Sequence, residues 1–365
     1  MRLKSRLLAA AGALLTAALF AAPGVSANPE SAGPASGPER ATSQTTPTAR
    51  IVAQRQLPNG MTETVVRTPI VARPHSGHGG GEHGHGTHTT VALPWTPPCA
   101  NCYVTGIEPA LTYSDGSTAN YDTGATIHHA VLFDRSKKDV TCGDGRNIFR
   151  LTGKRIFASG NERTNLRLPD GYGVELGRAP LTWGVVEVMN MKHEPQTVFF
   201  ETSFTHVPAD TRGMEEVTPV WLDAANCTGD SHHSVPDGES TTTWRWKSTI
   251  SGTITSAGGH LHDGGRSVTL SNASTGQHIC TSKAAYGTDP AFMGHLESMS
   301  VCRRESLGTV RRGEVLQFDS LYRMGHAAGN VMSIMMAYVD QGCRGSLHST
   351  SGLCTNPHPQ PPPSP

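Results

Sequence analysis

Gly258-Gly-His-Leu-His-Asp-Gly-Gly-Arg-Ser-Val-Thr-Leu270 carries two histidines two positions apart, set between strand-forming runs. Thr249-Ile-Ser-Gly-Thr-Ile-Thr255 leads into it, and Ser267-Val-Thr-Leu270 closes it. Residues i and i+2 of a strand point to one face, so His260 and His262 present their imidazoles side by side. The flanking glycines permit tight turns and leave room for an ion. Such a pair is half of a metal site. Taken alone, a His-x-His is more often two polar histidines on an edge strand, and the rest of the chain has to decide between these readings.

Outward from this stretch, short β-rich runs recur between Asp-Gly, Asn-Gly and Pro-rich turn signals. They include Ile127–Phe133, Leu181–Met189, Thr197–Phe204, Pro219–Leu222, Thr242–Trp246, Val315–Leu321 and Val331–Val339. No stretch holds a convincing 3.6-residue period. The pattern predicts an all-β chain of antiparallel sandwiches. The 365 residues suffice for two domains plus tails. A boundary is placed in the polar segment between Thr211 and Asp237, which divides the ordered chain into 94–215 and 216–345.

The termini read differently. Met1-Arg-Leu-Lys-Ser-Arg6 is basic, Leu7–Ala22 is apolar and Val25-Ser-Ala27 fits a cleavage site. Residues 1–27 therefore read as a signal peptide, and the chain as exported with no membrane span after cleavage. Residues 28–93 read as a disordered linker, with a stray strand around Thr62-Glu-Thr-Val-Val66. The linker ends in a histidine-rich arm, 75–88, with five histidines among glycines. Residues 346–365 read as a Pro-rich tail. The formal net charge is zero, which excludes nucleic acid as an expected partner. Eight cysteines in an exported chain are expected to form disulfides, and Cys99-Ala-Asn-Cys102 reads as disulfide partners rather than a zinc site.

Three further groups carry potential ligands. His128 and His129 are adjacent; neighbours on a regular strand face opposite ways, so both reach one ion only where the backbone is irregular or the ion sits at a strand end. Met191 and His193 share a face in Asn190-Met-Lys-His-Glu-Pro195. Met332, Met335 and Met336 lie in the last strand, where methionine is usually core filler. Thioether sulfur combined with imidazole selects copper, above all Cu(I).

In this order the motifs resemble the copper type II, ascorbate-dependent monooxygenases, typified by peptidylglycine α-hydroxylating and dopamine β-monooxygenases. They are more similar still to the stress up-regulated nodulin proteins. The matching stretches are Ile127–Phe133, Trp183–Pro195, Gly258–Gly265, Ile279–Ser282, Gly294–Cys302 and Gly325–Met332, within roughly residues 95–345. The resemblance implies two antiparallel jelly-roll β-sandwich domains in tandem, holding up to two copper ions, with ascorbate or another reductant as electron donor. The first copper would take His128, His129 and a third ligand. The family has histidine where this chain has Met191, so either Met191 or His193 serves or the first site is weakened. The second copper would take His260, His262 and Met332, with His326 as a further ligand or a hydrogen-bond donor to one. The family pattern also implies disulfides Cys280–Cys302 and Cys227–Cys343. Gly258, Ile334 and Met336 stand where the peptide-amidating enzymes hold a carboxylate, so a glycine-extended peptide is not the expected substrate. The expectation is a secreted, monomeric copper-binding protein, a monooxygenase acting on an unspecified small molecule or peptide. The alternative is a non-catalytic copper-binding or stress-related protein.

Overall fold

Twenty strands and no helix make up the described residues of the computed structural model, which are 48–75, 86–142, 153–225, 227, 230–287 and 289–342. The expected signal peptide, the middle of the histidine-rich arm, Cys343 and the Pro-rich tail lie outside them. The described residues fall in one compact unit.

The first half contributes β1 (Arg50–Gln56), β2 (Thr62–Ala72), β3 (Thr87–Pro94), β4 (Cys102–Thr112) and β5 (Ala125–Asp134). It continues with β6 (Lys154–Gly160), β7 (Leu166–Arg167), β8 (Tyr172–Leu176), β9 (Thr182–Asn190) and β10 (Gln196–Pro208). The second half contributes β11 (Glu215–Asp223), β12 (His232–Val235), β13 (Gly238–Lys247), β14 (Gly252–Leu261) and β15 (Gly265–Asn272). It ends with β16 (Gln277–Tyr286), β17 (Leu296–Met299), β18 (Val301–Val310), β19 (Val315–Met324) and β20 (Ala328–Asp340).

A four-stranded sheet, β3-β9-β5-β6, and a five-stranded one, β13-β19-β15-β16-β17, pack against one long sheet that runs through both halves, β1-β2-β10-β4-β8-β11-β20-β14-β18. The ladders are antiparallel except where the halves meet: β8 pairs parallel with β11 at Tyr172↔Glu215 and Gly173↔Glu216. The chain is therefore all-β with antiparallel sheets, as its alternation predicts, and it has two cores. Val66, Leu132, Val188 and Phe200 belong to the first. Val220, Ile254, Leu270 and Phe318 belong to the second.

Strand β20 shows why the halves are not separable beads. Met335, Ala337 and Val339 point into the second core, whereas Ile334, Met336 and Tyr338 point into the first. A strand covered on both faces reads as a continuous apolar run, and Ile334–Val339 is one. Tyr338 Oη donates to the Ile156 carbonyl at 3.1 Å, and the Arg155 guanidinium lies 4.6 Å above the Trp221 ring. Both contacts cross between the halves.

Two expectations are corrected. Within 28–93, residues 50–56, 62–72 and 87–93 are strand rather than linker. In β2, Thr64, Val66, Thr68, Ile70 and Ala72 are buried, and the strand lies between β1 and β10. Its threonine-rich inner face hid a period-2 strand. Cys227 bonds to Cys142, with Cα atoms 5.5 Å apart, and not to Cys343. The loop after β5 delivers Cys142 to the end of β11, where Thr141 Oγ1 accepts the Trp221 amide at 3.3 Å. Cys280–Cys302 forms as the resemblance implies, and Cys99 pairs with Cys102.

Candidate metal centre

The adjacent pair lies on β5, where the ladder to β9 slips: Ile127 faces Val188 but His129 faces Glu187. His128 is the extra residue of a bulge, the irregularity that lets neighbouring side chains converge. Their rings are 4.1 Å apart between centroids, with the Nδ1 atoms at 3.0 Å. His260 lies on β14 and His262 immediately after it, beside β20.

These two pairs, drawn from opposite halves, meet. His129 Nε2 lies 2.9 Å from His262 Nε2, and their rings stack at 5.1 Å. The His260 ring is 5.2 Å from that of His129. His128, His129 and His262 each offer a ligand atom within 4.8 Å of the others. The two histidine pairs that the resemblance assigns to separate coppers thus lie in one cluster shared by both halves.

The second-half imidazoles are oriented from behind. His260 Nδ1 is 3.1 Å from Glu162 Oε1, and His262 Nδ1 is 3.0 Å from the Asn330 carbonyl. Both neighbours accept, so Nδ1 carries the proton in each ring and Nε2 is left with a lone pair. His260 Nε2 is buried with no hydrogen-bond partner. The buried Tyr322 hydroxyl accepts the His262 amide at 2.9 Å and donates to the Met332 carbonyl at 2.5 Å, pinning β14 to β20.

On the other side stand His88 from β3 and Glu187 from β9. Glu187 Oε1 is 2.5 Å from His88 Nδ1 and 3.5 Å from His128 Nδ1, and Oε2 is 3.7 Å from His129 Nδ1. His88, His128 and Glu187 form a second group whose donor atoms lie within 4.8 Å of one another.

Burial pushes the His128 imidazolium down to about 4 and that of His129 well below its ordinary value. Both are therefore neutral near pH 7, the form that binds metal. Burial alone would raise the Glu187 carboxyl, but hydrogen bonds from His128, His129 and His88 outweigh it and hold the group ionised. For Glu162 as well, burial opposes ionisation and the neighbouring His260 overcomes it.

Met332 faces His232 across the β12–β20 ladder and alternates with Ile334, the residue opposite His260, so it lies on the histidine face. Met191 does not come to the cluster. It follows the end of β9, its amide donates to Gly124, and Glu187 takes the place opposite His129. His193 is exposed beside His75, with Nδ1 3.1 Å from the His75 carbonyl. His326 is exposed in the β19–β20 turn.

The residues that the linear reading did not assign to this cluster are His88, Glu187, Glu162 and His232, whose ring is 5.9 Å from that of His262. Glu187 had a signal, being a lone charge in the apolar run Val185-Val-Glu-Val-Met189. His88 was hidden among the arm histidines. Glu162 and His232 carried no signal that spacing alone exposes.

A domain described as Stress up-regulated Nod 19 matches residues 213–341. A protein of Phoma sp. (strain ATCC 20986 / MF5453) named "Probable copper-dependent oxygenase M1" is 28% identical over 67% of this chain and 66% of its own length. "Probable copper-dependent oxygenase clz3" of Cochliobolus lunatus is 26% identical over 64% of this chain and 77% of its own. This chain thus spans somewhat less than two thirds of the Phoma relative. Among solved structures, PNGF-II is similar at 10% identity and TM-score 0.35 over 74% of this chain and 65% of that one, a likeness too slight to carry an argument. The resemblance to copper monooxygenase-like, stress up-regulated Nod 19-like proteins is supported by these relatives.

Proposed function

We propose that this chain is an exported copper-dependent oxygenase whose metal is held jointly by its two halves. The carrying observation is the approach of His129 Nε2 to His262 Nε2 at 2.9 Å, beside the buried and unpartnered Nε2 of His260. Two buried nitrogen lone pairs at that distance need a shared proton or a cation between them. The donor set of several imidazoles with a thioether, Met332, on the same strand face suits copper. Copper bound there supplies the one-electron redox chemistry of O2 activation.

The protein residues prepare that site. Glu162 and the Asn330 carbonyl hold the Nδ1 protons of His260 and His262, so that their Nε2 atoms are ready to ligate. Burial keeps His128 and His129 neutral. Beside His260 a small cavity of about 30 Å³ is lined by Phe157, Leu166, Val301, Ile334 and Met336, with no charged side chain. It suits the tip of an uncharged, largely apolar substrate group and offers no lysine or arginine to a carboxylate. Three disulfides fit an oxidising compartment, and no helix among the described residues is long and apolar enough to cross a membrane.

The test is copper content after loading and desalting, together with oxygen uptake under ascorbate. The reading requires retained copper and ascorbate-dependent uptake beyond that of free copper, with the copper content lowered and the uptake lost in the His260→Ala, His262→Ala pair. Copper retained without uptake would convert the protein into a copper binder, and no retained copper would remove the metal altogether.

A further inference from the structure

His129 stands apart from its neighbours because both of its ring nitrogens face other donors. Nε2 lies 2.9 Å from His262 Nε2, on the side of the second half. Nδ1 lies 3.0 Å from His128 Nδ1 and 3.7 Å from Glu187 Oε2, on the side of the four-stranded sheet. An imidazole ligates through either nitrogen, and the two nitrogens point away from each other in the ring plane. One ion therefore cannot use both, and an ion taken between His129 and His262 leaves the Nδ1 side unused.

That other side has its own reason to hold a cation. Glu187 is a largely buried carboxylate, its side chain 21% exposed, and its ion-pair partners are His88, His128 and His129. No lysine or arginine among the described residues makes an ion pair with it. A carboxylate in such surroundings, with two imidazoles whose donor atoms lie within 4.8 Å, is a mixed oxygen–nitrogen site of the kind divalent metals occupy. It is built from β3, β5 and β9, with β9 pairing directly to both of the others. The sheet thus holds the three ligands in place without help from the second half.

Building on the copper reading, we infer that His129 is a bridging imidazole between two metal ions, one held by the His88–Glu187 side and the other by the His260–His262 side. Neutral imidazole carries a single N–H. Ligation through both nitrogens sends that proton to solvent, and the resulting imidazolate offsets one unit of the metals' charge. The bridge couples the ions electronically, and it also ties the four-stranded sheet to the end of β14.

The experiment is copper(II) loading of the full chain, desalting, elemental analysis and integration of the EPR signal. Two coppers per chain are expected, with a signal far below that of the copper present because the bridged ions couple. His88→Ala lies on edge strand β3 and leaves the core intact. It is expected to drop the content to one copper and restore a full, isolated signal. Glu187→Gln, checked for folding by circular dichroism, should do the same. One copper with a full signal in the wild type would overturn the bridge and leave the copper reading standing. So would two coppers with full signals, or two coppers retained by His88→Ala. No retained copper would overturn both.

Discussion

His129 Nε2 and His262 Nε2 are 2.9 Å apart although 133 positions separate them in the chain. One comes from a bulge in the first half and the other from a strand end in the second, so whatever binds between them also clamps the halves together. A ligand that binds only the folded chain stabilises it by mass action, about 2.7 kcal/mol at a concentration 100 times Kd. Copper is therefore expected to raise the melting temperature of the wild type by several degrees. The same titration on His262→Ala should show little of that shift. Thermal melts followed by circular dichroism, with and without copper and then with a chelator, check this.

Glu162 fixes which nitrogen of His260 faces the cluster. Its Oε1 also accepts the Gly160 amide at 3.1 Å and the Thr164 hydroxyl at 3.2 Å, so the carboxylate is rigidly placed. Loss of a carboxylate behind a ligating histidine typically costs 10–100-fold in metal affinity. Glu162→Leu should fall within roughly that range, and Glu162→Gln, which keeps an acceptor oxygen, near its lower end. Competition against a chelator of known affinity distinguishes the two.

Gly160 guards the same histidine sterically. A Cβ there would lie 2.5 Å from His260 Cε1 and 2.6 Å from Glu162 Oε2. Gly160→Ala is expected to displace the ring and weaken copper binding at least tenfold, with little change in the far-ultraviolet spectrum. At Gly177 an added Cβ would meet nothing within 4 Å, which makes Gly177→Ala the matched control. Equal copper affinity in the two variants would show that the His260 ring moves freely.

A buried ion pair contributes to the stability of the fold in acid. Arg155 Nε donates to Asp139 Oδ2 at 2.8 Å and Nη2 to Oδ1 at 2.9 Å. Burial disfavours the Asp139 carboxylate, but the Arg155 charge and hydrogen bonds prevail and hold its titration below the ordinary 3.8. The folded value is the lower one, so the stabilisation is complete above about pH 4 and fades as the pH falls through the folded value. Breaking one partner of such a pair costs about 3–5 kcal/mol. Asp139→Asn should lose that much at pH 7 and show a flatter decline between pH 4 and pH 2. Urea midpoints across that range measure it.

The Cys142–Cys227 bond closes a span of 85 residues between the halves. Replacing both cysteines with alanine should cost about 4–5 kcal/mol on the chain-entropy account. Its effect on the urea midpoint should exceed that of removing Cys99–Cys102, which spans three residues.

The strands were largely legible in the chain, because a half-buried strand must alternate and Leu181–Met189 or Val315–Leu321 does so. β2 was read only as a stray strand because its inner face is half threonine, which scores as polar yet buries well beside valine and isoleucine. The His128–His129 pair carried its own condition, an irregular backbone, and the bulge supplies it. For Met191 the linear order of motifs says nothing about register: β9 ends one residue before it, and Glu187 is the residue that faces His129.

The all-β class, the histidine pairs 128/129 and 260/262 and the Cys280–Cys302 link thus followed from local order, through periodicity, adjacency and motif resemblance. Tertiary structure alone decided that the two pairs share one centre, that His88 and Glu187 join it, and that Cys227 pairs with Cys142. The physical reason is that local sequence sets which face a side chain takes on its own strand. Which strands then lie side by side depends on long-range pairing and on burial of both faces of β20, and no spacing along the chain encodes that distance.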